Sequence, residues 1–497
     1  MQIYDKDLLS IQEVRALVSS AKKAQKELAQ MAQEQVDQIV KAIAEAGIRN
    51  AKRLAVMAYE DTGFGTVEDK IMKNIFASHG VYEYIKDMQT VGELRRDEEK
   101  KIRVIAVPVG IIAGLIPSTN PTSTALYKAE IAVKAGNAIV FSPHPSAVRC
   151  IMETVKIIRT AISEAGGNED LVSCITIPTI EATDTLMRHG DVNLILATGG
   201  SAMVRAAYQS GTPAIGVGPG NGPAYIDKTC DLPLAVKRIM DSKTFDNGLI
   251  CASEQSVICD EDMAASVQAE MEKQGAYFLS EAEGKKLGAF ILRANGTMNP
   301  AIVGHSVKKI CELSGLDTVP AGTRVLVAHE NGVGRGHPYS NEKLAPILAF
   351  FTSKDYKDAC EKTVELLNYE GAGHTFSMHT KNDELVQYFA QRVPASRINV
   401  NTPSSLGGIG CTTGLAPALT LGCGAVGGSA TSENVSPMLL LNQRYVAYGL
   451  KEIEEVRKEV ASCTDGICQA SSTSCDSVSA DQVEDIVKQV LAKLKAY

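Results

Sequence analysis

The sequence predicts an α/β protein built from two parallel sheets with helices on both faces. Short β-prone apolar runs alternate with helical periodicities from residue 104 to residue 367, which is the pattern of strand–helix–strand units. A chain of 497 residues exceeds one typical core, so two or three domains are expected. Hydrophobic residues make up 45% and charged residues 22% of the chain, as in ordinary globular proteins. We therefore expect two stacked α/β domains that meet near residues 222–248.

The region before the alternation predicts helices and one charged arm. From Ile11 to Ala58, apolar residues recur at three- and four-residue spacing, which indicates helices. Residues 92–104 are strongly charged and predict an exposed hairpin or arm. A solvated loop explains the charge of this segment equally well.

The alternation itself predicts strands and helices in a regular order. In its first half, strands are expected at 104–115, 138–141, 172–177, 192–197 and 214–217, and helices at 123–134, 147–164, 183–188 and 201–209. In its second half, strands are expected at 255–259 and 324–328, and helices at 263–274 and 356–367.

The last part of the sequence has a different amino-acid composition. Residues 461–478 are rich in Ser, Thr and Gly and predict a flexible linker. The cysteines within this segment fit no zinc-binding spacing and have no His nearby, so we expect no metal site there.

Residues 479–497 predict an amphipathic helix. Ser479 and Gln482 form a capping box, and one apolar stripe follows, made of Val483, Ile486, Val487, Val490, Leu491 and Leu494. Such a helix requires a partner for its apolar face. Docking back onto the parent domain is one possibility, and binding in a groove of another protein is our preferred one. Membrane binding is disfavoured, because the polar face has mixed charge and the stripe has no aromatic residue.

Composition excludes several classes of function. The net charge of −8, without a long basic block, argues against nucleic acid as the main partner. The N-terminal residues lack a secretory pattern, and the longest apolar run, 104–116, is too short to span a bilayer. Twelve cysteines spread along the chain indicate reduced thiols and a cytoplasmic location.

Cys251 is the candidate nucleophile. Gly248, Ala252 and Ser253 are small neighbours that leave room for a substrate, and the β-prone run 255–259 is expected to support the turn. A thiolate attacks an aldehyde carbonyl when a partly open site stabilises the oxyanion. The alternative is a small buried hydrophobic residue, a common role of free cysteine.

Polar and glycine-rich loops follow several predicted strands. The segment 116–123 contains Asn120, which is able to donate a side-chain N–H to an oxyanion, although Asn-Pro is first of all a turn dipeptide. The segments 141–146 and 197–201 also follow strands, where open α/β sheets bind ligands. The loop 216–222 is glycine-rich, which alone is a weak dinucleotide signal.

Taken together, these segments resemble the aldehyde dehydrogenase superfamily, and specifically its CoA-acylating branch (acetaldehyde and propionaldehyde dehydrogenases). The resemblance covers roughly residues 8–455. The motifs that support it, in this order along the chain, are IPSTNPTS, FSPHPSA, ATGGSAMV, GVGPGNGPAYID, FDNGLICASEQ, EKLAP and LAPALTLGCGAVGG.

The resemblance implies a Rossmann-type NAD-binding domain (1–91 and 105–227), a catalytic domain (228–430) and oligomerisation segments (92–104 and 431–446). It implies that Cys251 is the nucleophile, that Asn120 and the Cys251 backbone N–H form the oxyanion hole, and that Glu342 contacts the nicotinamide ribose. The remaining positions that it places at the NAD site are Pro117, Ser118, Thr119, Ser142, Pro143, His144, Thr198, Gly199, Gly200 and Gly218.

Departures from the wider superfamily point to the acylating reaction. Hydrolytic members carry a Glu-Leu-Gly-Gly motif whose Glu activates water, whereas the matching stretch 215–220 has none, and no carboxylate occurs between Gln209 and Ile226. Without that base, water attacks the acyl-thioester poorly, so the acyl group is expected to pass to CoA. Ser142 stands where hydrolytic members usually have Lys, so the preference for NAD over NADP follows from the branch alone. Val204 stands where many members have the last Gly of a GSTxxG pattern, so the placement of the cofactor is expected to differ there.

The resulting hypothesis is NAD-dependent, CoA-acylating oxidation of a short-chain aldehyde, with propionaldehyde first and acetaldehyde second. The alternatives are a hydrolytic or semialdehyde dehydrogenase that makes a free acid, and a scaffold protein that acts through its tail. His337 and His374 lie in glycine-rich loops and stay outside the catalytic set. His374 is able to assist deprotonation of CoA, and a loop-stabilising role is as probable on sequence grounds. The terminal helix resembles those of enzymes packed into bacterial microcompartments, where it binds shell or cargo proteins, and the superfamily suggests a homodimer or tetramer.

Overall fold

A computed structural model describes residues 5–293 and 296–472. Over these residues the chain forms two compact units. The larger unit contains the described residues up to 92 together with 106–443, and the smaller contains 93–105 with the described residues from 444 onward. The predicted amphipathic helix 479–497, and residues 473–478 of the predicted linker, lie outside the described residues.

The described residues contain fifteen strands. They are β1 (Glu93–Asp97), β2 (Ile102–Pro108), β3 (Ile111–Ile116), β4 (Ala138–Pro143), β5 (Val172–Cys174), β6 (Leu194–Thr198), β7 (Ala214–Val217), β8 (Gly222–Ile226), β9 (Glu254–Asp260), β10 (Ala276–Phe278), β11 (Val325–His329), β12 (Ile347–Ser353), β13 (Gly373–His379), β14 (Ala395–Val400) and β15 (Leu441–Ala447).

Sixteen α-helices accompany these strands in the same residues. They are α1 (Lys6–Leu28), α2 (Gln33–Thr62), α3 (Val67–Ile75), α4 (Val81–Ile85), α5 (Pro121–Lys134), α6 (Val148–Glu164), α7 (Ile180–Arg188), α8 (Ser201–Gln209), α9 (Leu232–Thr244), α10 (Ala264–Lys273), α11 (Glu281–Ile291), α12 (Val307–Ser314), α13 (Tyr356–Tyr369), α14 (Asp383–Ala390), α15 (Ser404–Gly408) and α16 (Ile453–Ser472). In this part of the chain, no helix combines the length and apolarity needed to cross a bilayer.

The structure confirms the helices that the apolar spacing predicted near the N-terminus. The N-cap of α1 is Asp5, whose carboxylate accepts hydrogen bonds from the backbone N–H groups of Asp7 and Leu8. α2 is followed directly by Gly63, whose φ of 68° is the left-handed conformation common after helices. Together α1 and α2 cover most of the predicted segment 11–58.

The first large sheet has five parallel strands in the order β5–β4–β3–β6–β7. The alternation predicted all five, with one error. The single strand expected at 104–115 is two strands, β2 and β3, which lie in different sheets. The reason is local: Pro108 has no N–H to continue a ladder, and Gly110 has a φ of 119° that turns the chain.

The second large sheet has seven parallel strands in the order β10–β11–β12–β9–β8–β13–β14. Val257 and Phe350 lie in one hydrophobic core, whereas Ile258 and Phe351 lie in the other. Neighbouring residues of one strand therefore pack on opposite faces, as expected where helices cover both sides of a parallel sheet.

The boundary between the two sheets differs from the expected domain limit at 227/228. β8 (Gly222–Ile226) belongs to the second sheet and pairs with β9 and β13. The chain therefore changes sheets between β7 and β8. The glycines of the loop 216–222 suggested a place in the cofactor domain, and these glycines lie where the chain crosses over.

The smaller unit contains the predicted arm. β1 and β2 form an antiparallel hairpin, which confirms the hairpin expectation, and β15 joins them in a three-stranded sheet. The predicted linker is wrong for 461–472, because α16 continues through Ser472. Extending an existing helix fixes one residue at a time, so residues of modest propensity join a helix that is already nucleated.

Candidate active site

The loops predicted to bind a cofactor lie at the carboxyl edge of the five-stranded sheet. In the register of the sheet, Ile116 is opposite Pro143, and Thr198 is opposite Val217, so the strands β3, β4, β6 and β7 end together. The chain passes from β3 to β4 and β5 on one side and then to β6 and β7 on the other. This switch point is the usual ligand crevice of open α/β sheets. The structure thus brings together Pro117, Ser118, Thr119, Asn120, Ser142, Pro143, His144, Thr198, Gly199, Gly200 and Gly218, and their binding roles remain predictions.

Several of these side chains already have partners within the protein. The Ser142 hydroxyl lies 2.8 Å from that of Thr183, and the Thr198 hydroxyl lies 3.1 Å from that of Thr420. His144 Nδ1 lies 2.8 Å from the Ser146 hydroxyl. A dinucleotide at this edge would therefore be held largely by backbone N–H groups, including those at the start of α8 after Gly200.

Cys251 lies at the amino edge of the other sheet, just before β9. The neighbouring strands of this sheet are β9, β8 and β13. Gly222 is opposite Glu254, and Ala224 is opposite Ser377, so β13 begins two residues before β8. His374, the second residue of β13, therefore comes beside Cys251, and its Nε2 lies 3.2 Å from Cys251 Sγ. Cys251 is partly exposed, whereas His374 is fully buried. Sequence reasoning left His374 undecided, and the sheet places it in contact with the candidate nucleophile.

Gly220, a glycine that sequence reasoning did not choose, packs directly against Cys251 and His374. A Cβ on Gly220 would collide with the carbonyl oxygen of Cys251 and lie 3.3 Å from His374 Cε1. Gly248 has another role: its φ is 77°, and a Cβ there would lie 3.0 Å from the backbone of Ala345. Ala252 and Ser253 are buried. Gly248 therefore serves close backbone packing, and the expectation that Ala252 and Ser253 leave room for substrate stays a prediction.

His374 is a neutral imidazole placed to accept a proton. Burial, with a contribution from Arg397, lowers the pKa of His374 to about 3. Its Nδ1 lies 2.9 Å from the Thr375 hydroxyl, which also accepts a hydrogen bond from Arg397 Nε at 3.4 Å. An N–H at Nδ1 satisfies this arrangement and leaves the Nε2 lone pair directed at the Cys251 thiol.

Cys251 is held as a thiol in the resting protein. Burial, followed by the nearby Glu342 carboxyl, raises the pKa of the Cys251 thiol to about 12. Arg397 acts in the opposite direction and favours the thiolate. A nucleophile with so high a pKa requires a local base to remove its proton at neutral pH.

Glu342, the predicted ribose contact, lies in this same cluster. Its Oε1 accepts a hydrogen bond from Gly220 N at 3.0 Å, and its backbone N–H donates to Glu370 at 2.7 Å. Burial, followed by Glu370, raises the pKa of Glu342 to about 8. The carboxyl of Glu342 is therefore far less acidic than that of an exposed Glu.

Arg397 is a buried cation on β14, the strand beside β13, opposite Thr375 in the register of the sheet. Its guanidinium donates to the backbone oxygens of His374 and Gly422, at 3.0 and 2.7 Å. These bonds join β13 to the loop at Gly422 and keep His374 in place. Across the described residues, no group of three or more His, Cys, Asp and Glu side chains is arranged to hold a metal ion.

The sequence profile described as the aldehyde dehydrogenase family matches residues 3–316. The chain belongs to this family. The curated relatives include the bifunctional aldehyde-alcohol dehydrogenase AdhE of Escherichia coli K12, which is 46% identical over 88% of this chain and 50% of its own length. The chain thus spans about half the length of that relative. A succinate-semialdehyde dehydrogenase (acetylating) of Clostridium kluyveri is 37% identical over 88% of this chain and 96% of its own.

Solved structures of family members share the fold. A probable aldehyde dehydrogenase of Listeria monocytogenes EGD-e is 60% identical with a TM-score of 0.90, over 91% of this chain and 100% of its own. An acetylating aldehyde dehydrogenase of Geobacillus thermoglucosidasius is 50% identical with a TM-score of 0.89, over 91% and 99%. A propionaldehyde dehydrogenase of Rhodopseudomonas palustris, solved with bound CoA and an acylated cysteine, is 27% identical with a TM-score of 0.79, over 88% and 97%. Two of these similar proteins are thus named as acetylating aldehyde dehydrogenases, and a third was solved with CoA and an acylated cysteine.

Proposed function

We propose that this protein oxidises a short-chain aldehyde with NAD⁺ and transfers the acyl group from Cys251 to CoA. The observation that supports this most directly is the Cys251–His374 pair, a thiol 3.2 Å from a neutral imidazole. The acylating relatives, one of them solved with CoA and an acylated cysteine, agree with this chemistry. The preference for NAD over NADP follows from the branch.

In the first half-reaction, His374 Nε2 takes the proton of Cys251, and the thiolate attacks the aldehyde carbonyl. Asn120 Nδ2 and the Cys251 backbone N–H hold the oxyanion that forms. NAD⁺ bound at the carboxyl edge of the five-stranded sheet supplies the hydride acceptor. As the oxyanion collapses, the carbon loses hydride, and a Cys251 acyl-thioester remains.

Before the second half-reaction, His374 releases the Cys251 proton to solvent. The thiol of CoA then loses its proton to His374, and the CoA thiolate attacks the acyl-thioester. The tetrahedral intermediate expels the Cys251 thiolate, which regains a proton, and acyl-CoA leaves. Hydrolysis is slow by comparison, because the stretch 215–220 contains no carboxylate to activate water. This argument disfavours the hydrolytic alternative.

CoA dependence tests this proposal. NADH formation is measured with acetaldehyde, propionaldehyde and butyraldehyde, each with and without CoA. We expect continuous NADH formation only with CoA, fastest with propionaldehyde and next with acetaldehyde, and at most one NADH per site without it. Sustained NADH formation without CoA, with free acid as product, would support the hydrolytic alternative instead.

We also propose that residues 479–497 bind a shell or cargo protein of a bacterial microcompartment. The support is the uninterrupted apolar stripe, together with the microcompartment origin of one relative, a propionaldehyde dehydrogenase from the Clostridium phytofermentans fucose utilisation bacterial microcompartment. That relative is 29% identical with a TM-score of 0.78, over 88% of this chain and 97% of its own.

Deleting residues 473–497 is expected to leave aldehyde oxidation near normal and to abolish co-sedimentation with assembled shells. Ile486→Asp, on the stripe, should have the same effect, while Gln489→Asp, off the stripe, should not. If the truncated protein fails to fold, the helix belongs to the enzyme's own core. If Ile486→Asp still co-sediments, the stripe is not the binding face.

The segments 92–104 and 431–446 are proposed to join subunits into a dimer or tetramer. β15 supports this, because its residues from Asn442 to Ala447 are exposed. Tyr448, Leu450 and Ile453 follow and are also exposed. Sedimentation equilibrium gives the oligomeric state, and a monomer at micromolar concentration would contradict the proposal.

A further inference from the structure

Lys73 is a buried lysine of α3 that joins the Asn120 loop to the Cys251 loop. Its side chain is only 2% exposed. Its ammonium group contacts the carboxylate of Asp246, and it donates to Asn120 Oδ1 at 2.5 Å. The ring of Phe245 lies 5.8 Å from the same nitrogen. One cation thus touches both segments that hold the proposed reacting groups.

The contact with Lys73 fixes which way the Asn120 amide faces. An ammonium group has three donors and no acceptor, so the amide oxygen must face Lys73. The amide nitrogen then points away from the lysine and donates to the Thr119 hydroxyl at 3.2 Å. A flipped amide would present its oxygen to an oxyanion, and the two negative charges would repel. A cation at the amide oxygen also draws electron density from the nitrogen, which strengthens its N–H as a donor.

Asp246 is the anchor that holds Lys73. Asp246 Oδ1 accepts a hydrogen bond from Thr66 N at 2.8 Å, and Lys70 Nζ lies 3.1 Å from Oδ2. Burial opposes the charge of Asp246, but Lys73 and Lys70 outweigh burial and hold its pKa below the usual range. The backbone of Asp246 has a φ of 48°, a left-handed conformation that these bonds stabilise.

We propose that Lys73 is a positioning residue that orients and polarises the Asn120 amide as the donor to the oxyanion. This inference rests on the proposed function, in which Asn120 binds that oxyanion. Lys73 itself contacts neither substrate nor cofactor in this scheme. Its effect reaches the reaction through Asn120.

Lys70 provides the matched control. It lies on the same helix and is also buried, at 3% exposed, and it bonds the same carboxylate. Within the described residues, its side-chain hydrogen bond goes to Asp246 and not to Asn120. Removing Lys70 therefore disturbs the same anchor without freeing the amide.

The experiment is a double-mutant cycle of Lys73→Met and Asn120→Ala in the full-length enzyme, with Lys70→Met beside it. Asn120→Ala should lower kcat by about 10²- to 10³-fold, as loss of one oxyanion donor does. Lys73→Met should lower kcat by about 10- to 100-fold, with little change in the KM for aldehyde. In the Asn120→Ala background, Lys73→Met should have little further effect, because the group through which it acts is absent.

Two further measurements distinguish loss of Asn120 positioning from a general disturbance of the structure around Asp246. Lys70→Met should lose much less kcat than Lys73→Met. The rate of Cys251 alkylation by iodoacetamide should stay at the wild-type value in Lys73→Met. If Lys73→Met does not fold, the cycle is run with Lys73→Arg, whose larger head group keeps the charge beside Asp246 but moves the donor away from Asn120.

Additive losses in the cycle would overturn the inference, as would equal losses in Lys70→Met and Lys73→Met. The wild-type protein is measured in the same assay. If it forms no NADH with aldehyde and CoA, the proposed function fails. If it is active and the two losses add, only the role of Lys73 fails.

Discussion

Cys251→Ala is expected to lower NADH formation by at least about 10⁴-fold, because the covalent route requires the sulfur atom. The protein should remain folded, since replacing one partly exposed thiol by a methyl group removes little buried surface. Steady-state absorbance of NADH and a thermal melt measure the two effects. Mass spectrometry of the wild type, mixed with aldehyde and NAD⁺ but no CoA, should show one acyl adduct on Cys251.

Cys230→Ala is the matched control for this change. Cys230 is also partly exposed, and burial, aided by Asp227, raises its pKa to about 11. Its substitution should leave the rate close to that of the wild type. If Cys251→Ala retains aldehyde oxidation, or if the acyl group is found on another cysteine, Cys251 is not the nucleophile.

His374→Gln is expected to lower kcat by about 10²- to 10⁴-fold at pH 7, because it removes the base that takes the thiol proton. Gln preserves polar atoms near the Nε2 position but has no basic nitrogen. The loss should become smaller as pH rises, since hydroxide increasingly replaces the missing base. In the wild type, burial lowers the pKa of His374 to about 3, so its imidazole stays neutral well above that pH and adds no titration step of its own to the profile. The pH dependence of kcat in both proteins measures this.

His379→Gln separates catalysis from packing. His379 lies on the same strand, β13, is also buried, and has a pKa that burial, followed by Arg238, lowers to about 3. Within the described residues, its ring nitrogens have no hydrogen-bond partner, and the imidazole beside Cys251 is that of His374. The His379→Gln variant should show a lower melting temperature at most, with kcat close to that of the wild type. Equal losses of kcat in the two variants would assign His374 a packing role instead.

Much of the carboxyl edge of the five-stranded sheet, where the cofactor is proposed to bind, was predictable from the sequence. The arrangement of this edge depends on the local order of strands and loops along the chain. Each strand of the first sheet is followed by its own loop, and parallel strands bring the loop ends to one edge. The positions from Pro117 to Asn120, from Ser142 to His144 and from Thr198 to Gly200 therefore came together as expected. The error at 104–115 arose where a proline and a glycine inside an apolar run divide it between two sheets.

The sequence by itself determined that Cys251 is the candidate nucleophile, that strands and helices alternate, and that the stretch 215–220 lacks a water-activating carboxylate. Only the tertiary structure decided what surrounds the thiol. His374 is 123 residues further along the chain, and it meets Cys251 because β8 lies between β9 and β13 in the sheet. Gly220, Glu342 and Lys73 join the site from three other segments. Strand order and helix packing set such distances, and no local pattern of residues encodes them.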